Sequence, residues 1–218
     1  GPQRGPVSIT QITERGTIYS LDDLRALCAV AKDHELPVHL DGARFANALV
    51  ELNCTPAEMT WKMGVDVVSF GGTKNGLMGA EAVVFFDPTK AWEFELRRKR
   101  GGHLFSKHRY LSAQFLPYLE DGRWLDLARA ANAARARLQT GMDGMNDVSF
   151  AYPPSGNMMF PTWRAADHRR LFEAGAYYYM WDGELDGAAD DDRLTARLVC
   201  DWSMTEDAVD RFLSILRG

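Results

Sequence analysis

VDVVSFGGTKNG, residues 65–76, changes character in a single step, from a run rich in Val and Phe to paired glycines followed by a lysine. β-branched and aromatic residues favour a strand, and a glycine cluster ends one. Upstream, PVHLDG (residues 37–42) repeats the pattern, a short apolar run closed by Asp41-Gly42, and residues 43–52 between the two carry a helical pattern. Further out lie the β-branched VSITQIT (residues 7–13), then Leu21, Leu24, Leu27 and Ala31 at helical spacing over residues 21–34, and downstream a second apolar run over residues 82–86. Strands alternating with helices predict a mainly parallel α/β sheet. Ligand sites in such sheets lie at the carboxyl ends of strands, which is where Asp41-Gly42 and residues 71–76 fall.

Beyond Asp87-Pro88 the sequence turns helical: residues 90–100 are charged and amphipathic, and residues 124–138 are rich in Ala and Arg. Short apolar runs at 148–151, 157–160, 176–180 and 194–199, with a last helix over 205–216, predict a smaller α+β unit. The boundary is expected near Asp121-Gly122, giving a large domain over residues 1–120 and a small C-terminal domain over 121–218. The acidic run Asp190-Asp191-Asp192 reads as a solvated turn.

The 218 residues are 46% hydrophobic and 25% charged, enough to bury a sizeable core. With 25 Lys and Arg against 30 Asp and Glu, the net charge of −5 gives no general attraction for nucleic acid or anionic membranes, and small-molecule chemistry is the expectation. Cys28, Cys54 and Cys200 form no C-x-x-C pair and point to a reducing cytoplasm. No apolar stretch reaches the roughly 18 residues that a membrane span needs. The five histidines have no metal-ligand spacing, so no metal is expected.

Lys74 is the first candidate for chemistry, because glycines beside it let backbone and a planar ligand approach closely. A glycine-flanked lysine is also what an ordinary exposed turn looks like. Asp41, ending a second strand, gives the lysine a context: a carboxylate there can pair with a protonated pyridine nitrogen. Arg44, three residues on, is either an anion partner in the same pocket or one half of a surface ion pair. His39 reads as an orienting group or, more simply, a satisfied core histidine.

Residues 39–88, with the elements DGAR and SFGGTKNG, resemble the central block of low-specificity L-threonine aldolases, in the pyridoxal-phosphate (PLP) dependent fold type I superfamily. VSITQITERGTIYSLDDL upstream and RLVCDWSMTEDAVDRF downstream resemble the same family. The resemblance implies a fold type I large domain with a small C-terminal domain, PLP as cofactor, and cleavage of L-threonine or L-allo-threonine to glycine and an aldehyde. It implies Lys74 as the lysine that carries the cofactor, Asp41 at the pyridine nitrogen, Arg44 beside the ring oxygen and Arg197 gripping the substrate carboxylate, with Arg193 as competitor. Lys107 and Arg109 in GGHLFSKHRY become candidates for the phosphate, against a reading of that basic segment as a solvated helix face. A homodimer or homotetramer is implied as well. Two other readings stand beside aldol cleavage: another PLP lyase reaction on the same scaffold, β-elimination or phenylserine-type cleavage, and a truncated non-catalytic dimerisation module.

Three departures accompany the resemblance. The family's phosphate-cradling loop and the histidine that stacks on the pyridine ring have no match here, so the large domain is expected to be incomplete at its N-terminus. Gly72 stands where many relatives are expected to have alanine, read as a mild change. Asp201 stands where relatives often have histidine.

Overall fold

In the computed structural model, which describes residues 4–218, strands β1 (Val7–Thr10), β2 (Val38–Gly42) and β3 (Val67–Gly71) run parallel, in that order. The fourth strand, β4 (Glu81–Phe85), pairs with β3 antiparallel. Only residues 72–80 join β3 to β4, and a parallel crossover needs about a dozen residues or more, so the chain turns straight back. The alternation of the strands separates two faces. Ile9, Leu40 and Val68 are buried on one; Ser8, His39, Asp41 and Ser69 lie on the other, in register across three strands.

Helix α1 (Leu21–Asp33) starts where Ser20 and Asp23 form a reciprocal capping box, and buries Leu24, Cys28 and Ala31. Helix α2 (Phe45–Leu52) ends at Asn53 in the left-handed conformation. It sets Phe45 edge-on to Phe70 with ring centroids 5.5 Å apart, on the same face as Val68. Helix α3 (Pro56–Met59) begins with a second capping box, from Thr55 and Glu58, and Pro in its first turn. Helices α4 (Ala91–Arg100), α5 (Arg109–Ser112), α6 (Phe115–Leu119) and α7 (Arg123–Met142) follow. Before α7, Asp121 and Gly122 both take positive φ, 51° and 74°.

The chain forms two compact units. The first holds residues up to Ile12 and Tyr19–Asp126; the second holds Thr13–Ile18 and Leu127–Gly218. In the second, short strands β5 (Ser149–Phe150), β6 (Met158–Met159), β7 (Pro161–Arg164) and β8 (Tyr179–Asp182) and the longer β9 (Arg193–Val199) make an antiparallel sheet centred on β9. Helices α8 (Ala165–Glu173) and α9 (Glu206–Arg217) complete it. Its core is Met159, Trp163, Leu171, Leu198, Leu213 and their neighbours; each large apolar side chain taken from water contributes about 1.5–3 kcal/mol. The acidic turn is tied down: Asp190 pairs with Arg169 at 2.5 Å, and Asp192 accepts from the Ala189 amide at 2.8 Å.

A polar group sits inside this apolar core. His168, fully buried, places Nε2 3.0 Å from the Leu194 carbonyl and Nδ1 2.9 Å from the Tyr178 hydroxyl. A carbonyl only accepts, so Nε2 carries the proton and Nδ1 accepts from Tyr178. Burial holds the imidazole below its ordinary value and pushes the Tyr178 phenol up. Among the described residues no helix is long and apolar enough to cross a membrane.

Candidate active site

The site is built from two turns. β2 ends in Asp41-Gly42, and the Asp41 carboxylate folds back so that Oδ1 accepts from the Ala43 amide at 3.0 Å. This is an Asx-type turn that leaves Oδ2 without a partner among the described residues. Gly42 has to be glycine: a Cβ would lie 2.7 Å from the Ser69 carbonyl oxygen and 3.1 Å from the side chain of Phe45. Arg44 follows at the N-terminal cap of α2, half-buried. Two residues before Asp41, His39 bridges three strands, with Nδ1 2.8 Å from Ser8 Oγ and Nε2 2.9 Å from Ser69 Oγ. Ser69 is also the register neighbour of Asp41.

On the adjacent parallel strand, β3 ends in Gly71-Gly72. A Cβ on Gly71 would lie 2.7 Å from the Ala43 carbonyl oxygen and 2.8 Å from its Cα. The turn after β2 and the turn after β3 therefore touch backbone to backbone, which only a residue without a side chain permits. At Gly72 a Cβ would meet the Leu77 side chain and lie 2.8 Å from the Ala80 carbonyl oxygen. Alanine in place of this glycine would thus require the loop to shift, a larger change than the sequence suggested. A single 3₁₀ turn, Thr73–Asn75, then carries Lys74 and closes on Gly76 at φ 110°. The Lys74 side chain is exposed, and its ammonium has no hydrogen bond or ion pair among the described residues.

Asp41, Arg44 and Lys74 are thereby gathered on touching turns at the carboxyl ends of neighbouring strands. The basic segment after α4 divides in two. Arg97 and Arg100 are engaged with Glu93, at 2.8 and 3.6 Å. Lys107 is exposed, takes φ 62° and has no ionic partner among the described residues. Arg109 opens α5 and lies over the Tyr110 ring at 5.1 Å. In the second unit the two arginines of β9 differ. Arg193 donates to the Asp147 carbonyl, Ser149 Oγ and the Thr162 carbonyl at 3.1–3.2 Å. Arg197 is half-buried, and its guanidinium has no partner among the described residues.

The structure adds a residue that the sequence reading passed over. Asn75, beside Lys74, is 2% exposed, and its Nδ2 donates to Tyr118 Oη at 2.7 Å and to the Trp124 carbonyl at 2.8 Å. Nothing in a polar glycine-rich loop marks one member as inward-facing.

The profile described as beta-eliminating lyase matches residues 1–162. A low specificity L-threonine aldolase of Pseudomonas sp. (strain NCIMB 10558) is 39% identical over 217 residues, which is 100% of this chain and 60% of that relative. Its namesake in Pseudomonas aeruginosa is also 39% identical, over 92% of this chain and 56% of its own length. The chain thus spans about three-fifths of the length of the curated relatives it matches. A Leishmania major threonine aldolase structure superposes with a TM-score of 0.87 at 27% identity, covering 98% of this chain and 60% of that one. The fold is the one these enzymes share, fold type I, with its mainly parallel sheet and a second, antiparallel sheet. Family profile, relatives and architecture agree: the chain belongs to the beta-eliminating lyase family.

Proposed function

We propose that the protein is a PLP-dependent aldolase that cleaves L-threonine or L-allo-threonine to glycine and an aldehyde, in the cytoplasm, as a homodimer or homotetramer. The observation that carries this reading is the contact between two turns, one bearing a carboxylate with a free oxygen and the other an ammonium without a partner. The relatives at 39% identity, named for that reaction, support the choice of substrate. Three cysteines without disulfides suit a reducing compartment.

The donor set fits PLP, a flat aromatic aldehyde with a basic ring nitrogen. Bound there, PLP supplies the electron sink that accepts charge from the substrate α-carbon. In this reading Lys74 offers the amine that the aldehyde requires. Asp41 keeps a proton on the ring nitrogen, because an adjacent negative charge raises the pKa of a cationic acid. Arg44 would serve the ring oxygen, and Lys107 would contribute charge to the phosphate. Arg197 grips the substrate carboxylate through the paired N–H groups of its guanidinium, a geometry that lysine lacks. The engagement of Arg193 with three fixed acceptors favours Arg197 for this role.

Two measurements test the proposal. The PLP-loaded protein incubated with L-threonine is expected to release glycine and acetaldehyde in equal amounts; ammonia with a keto acid would overturn it. Borohydride reduction followed by peptide mapping is expected to leave the pyridoxyl group on Lys74, and Lys74→Ala to abolish both label and turnover.

A further inference from the structure

We infer that Asn75 is a positioning residue that fixes Lys74 for its reaction with the cofactor, by clamping the lysine turn to the start of α7 and to α6. The inference rests on the role proposed above for Lys74. A three-residue turn between Gly72 and Gly76 has little rigidity of its own, since glycine leaves the backbone its widest freedom. Its internal hydrogen bonds are short-range: the Asn75 and Leu77 amides both donate to the Gly72 carbonyl, at 3.0 and 3.1 Å. The position of Lys74, exposed and unpaired, has to be set from outside the turn.

Asn75 supplies that constraint through one nitrogen. Both protons of Nδ2 are engaged, one by Tyr118 Oη at 2.7 Å and the other by the Trp124 carbonyl at 2.8 Å, across 43 and 49 residues of sequence. The anchor points are themselves immobilised. Tyr118 is 2% exposed, with its ring 6.2 Å from Phe70 and 6.1 Å from Phe115. The Trp124 ring meets Phe70 edge-on at 5.5 Å and lies parallel to Phe45 at 6.3 Å. Phe70 belongs to β3 and Phe45 to α2, so the clamp is referenced to the strand and helix that flank Lys74 and Asp41. A second tether fastens the far side of the loop, where the Met78 amide donates to Gln114 Oε1 at 2.9 Å. Reaction of an amine with a bound aldehyde is sensitive to placement, a 1 Å error costing up to about a hundredfold.

The experiment compares wild type, Asn75→Ala, Tyr118→Phe and Leu24→Ala in the PLP-loaded protein. Leu24→Ala is a cavity control, since Leu24 is buried in α1. The readouts are the rate of borohydride labelling of Lys74 at saturating PLP and the pH midpoint of the bound cofactor's absorbance change, taken well below each melting temperature. Asn75→Ala is expected to slow labelling roughly tenfold or more and to displace the midpoint. Tyr118→Phe, which keeps the Trp124 bond, should do the same to a smaller extent, and Leu24→Ala should leave both readouts at wild-type values while lowering the melting temperature. If Asn75→Ala does not fold, Tyr118→Phe decides alone. Wild-type values in whichever of these folds, or equal displacement by Leu24→Ala, overturn the inference while leaving Lys74 in place. Labelling of another residue in the wild-type protein overturns the Lys74 assignment and this inference together.

Discussion

A methyl group on Gly71 would press on the carbonyl oxygen and Cα of Ala43, and because both are main-chain atoms the two turns would have to part. Gly71→Ala is expected to lower stability by about 1–3 kcal/mol, the usual range for overpacking, and to weaken PLP binding along with it. Denaturant melts and a cofactor titration check the pair of effects. At β9 the prediction separates two arginines: Arg197→Lys should raise KM for threonine about tenfold or more, as the loss of a charge-assisted pair of hydrogen bonds requires, with melting unchanged. Arg193→Lys should lower the melting temperature instead, because it removes bonds to the Asp147 and Thr162 carbonyls. The strand-end positions of Asp41 and Lys74 were legible in the sequence, because apolar runs stop and glycines begin there. Asn75 was not, since its burial is decided by Tyr118 and Trp124, 43 and 49 residues away.

The elements that were legible are those whose apolar spacing is uninterrupted, such as α1, β2, β3 and α9. Helix α8 and strand β7 escaped notice for a physical reason. The face that α8 buries contains Asp167 and His168 beside Ala165 and Leu171, so its core side does not read as apolar, and no side chain caps its start. Asp167 is satisfied there by Arg164 at 3.2 Å and Arg170 at 2.9 Å. The buried imidazole of this helix sets a pH response. The folded protein holds His168 below its ordinary value near 6.5, whereas the unfolded chain takes up a proton as the pH falls through that value. This contribution to stability is therefore complete above about pH 6.5 and declines below it. Melting temperatures recorded between pH 8 and pH 5 should show the decline, and His168→Phe should flatten it, at the cost of leaving the Tyr178 hydroxyl without its acceptor.

At the scale of the whole molecule, the chain passes between the two units three times, after Ile12, after Ile18 and after Asp126. The six residues Thr13–Ile18 form a tight turn, with the Thr13 amide 3.0 Å from the Thr17 carbonyl and the Thr13 and Thr17 hydroxyls 2.7 Å apart. Within the second unit, Gly16 at φ 68° lies so close to Met158 and Phe160 that a Cβ would be 3.2 and 3.1 Å from their side chains. Beside it, the Arg15 guanidinium sits 5.3 Å from the Tyr152 ring centroid. Residues 127–218 expressed alone are expected to melt below the intact protein and to bind a hydrophobic dye at the uncovered Phe160 surface, and a peptide of residues 13–18 should reverse part of both effects. Limited proteolysis carries the same consequence: a nick between Asp126 and Leu127 should yield fragments that separate in denaturing electrophoresis yet co-elute on gel filtration, held together by that six-residue stitch.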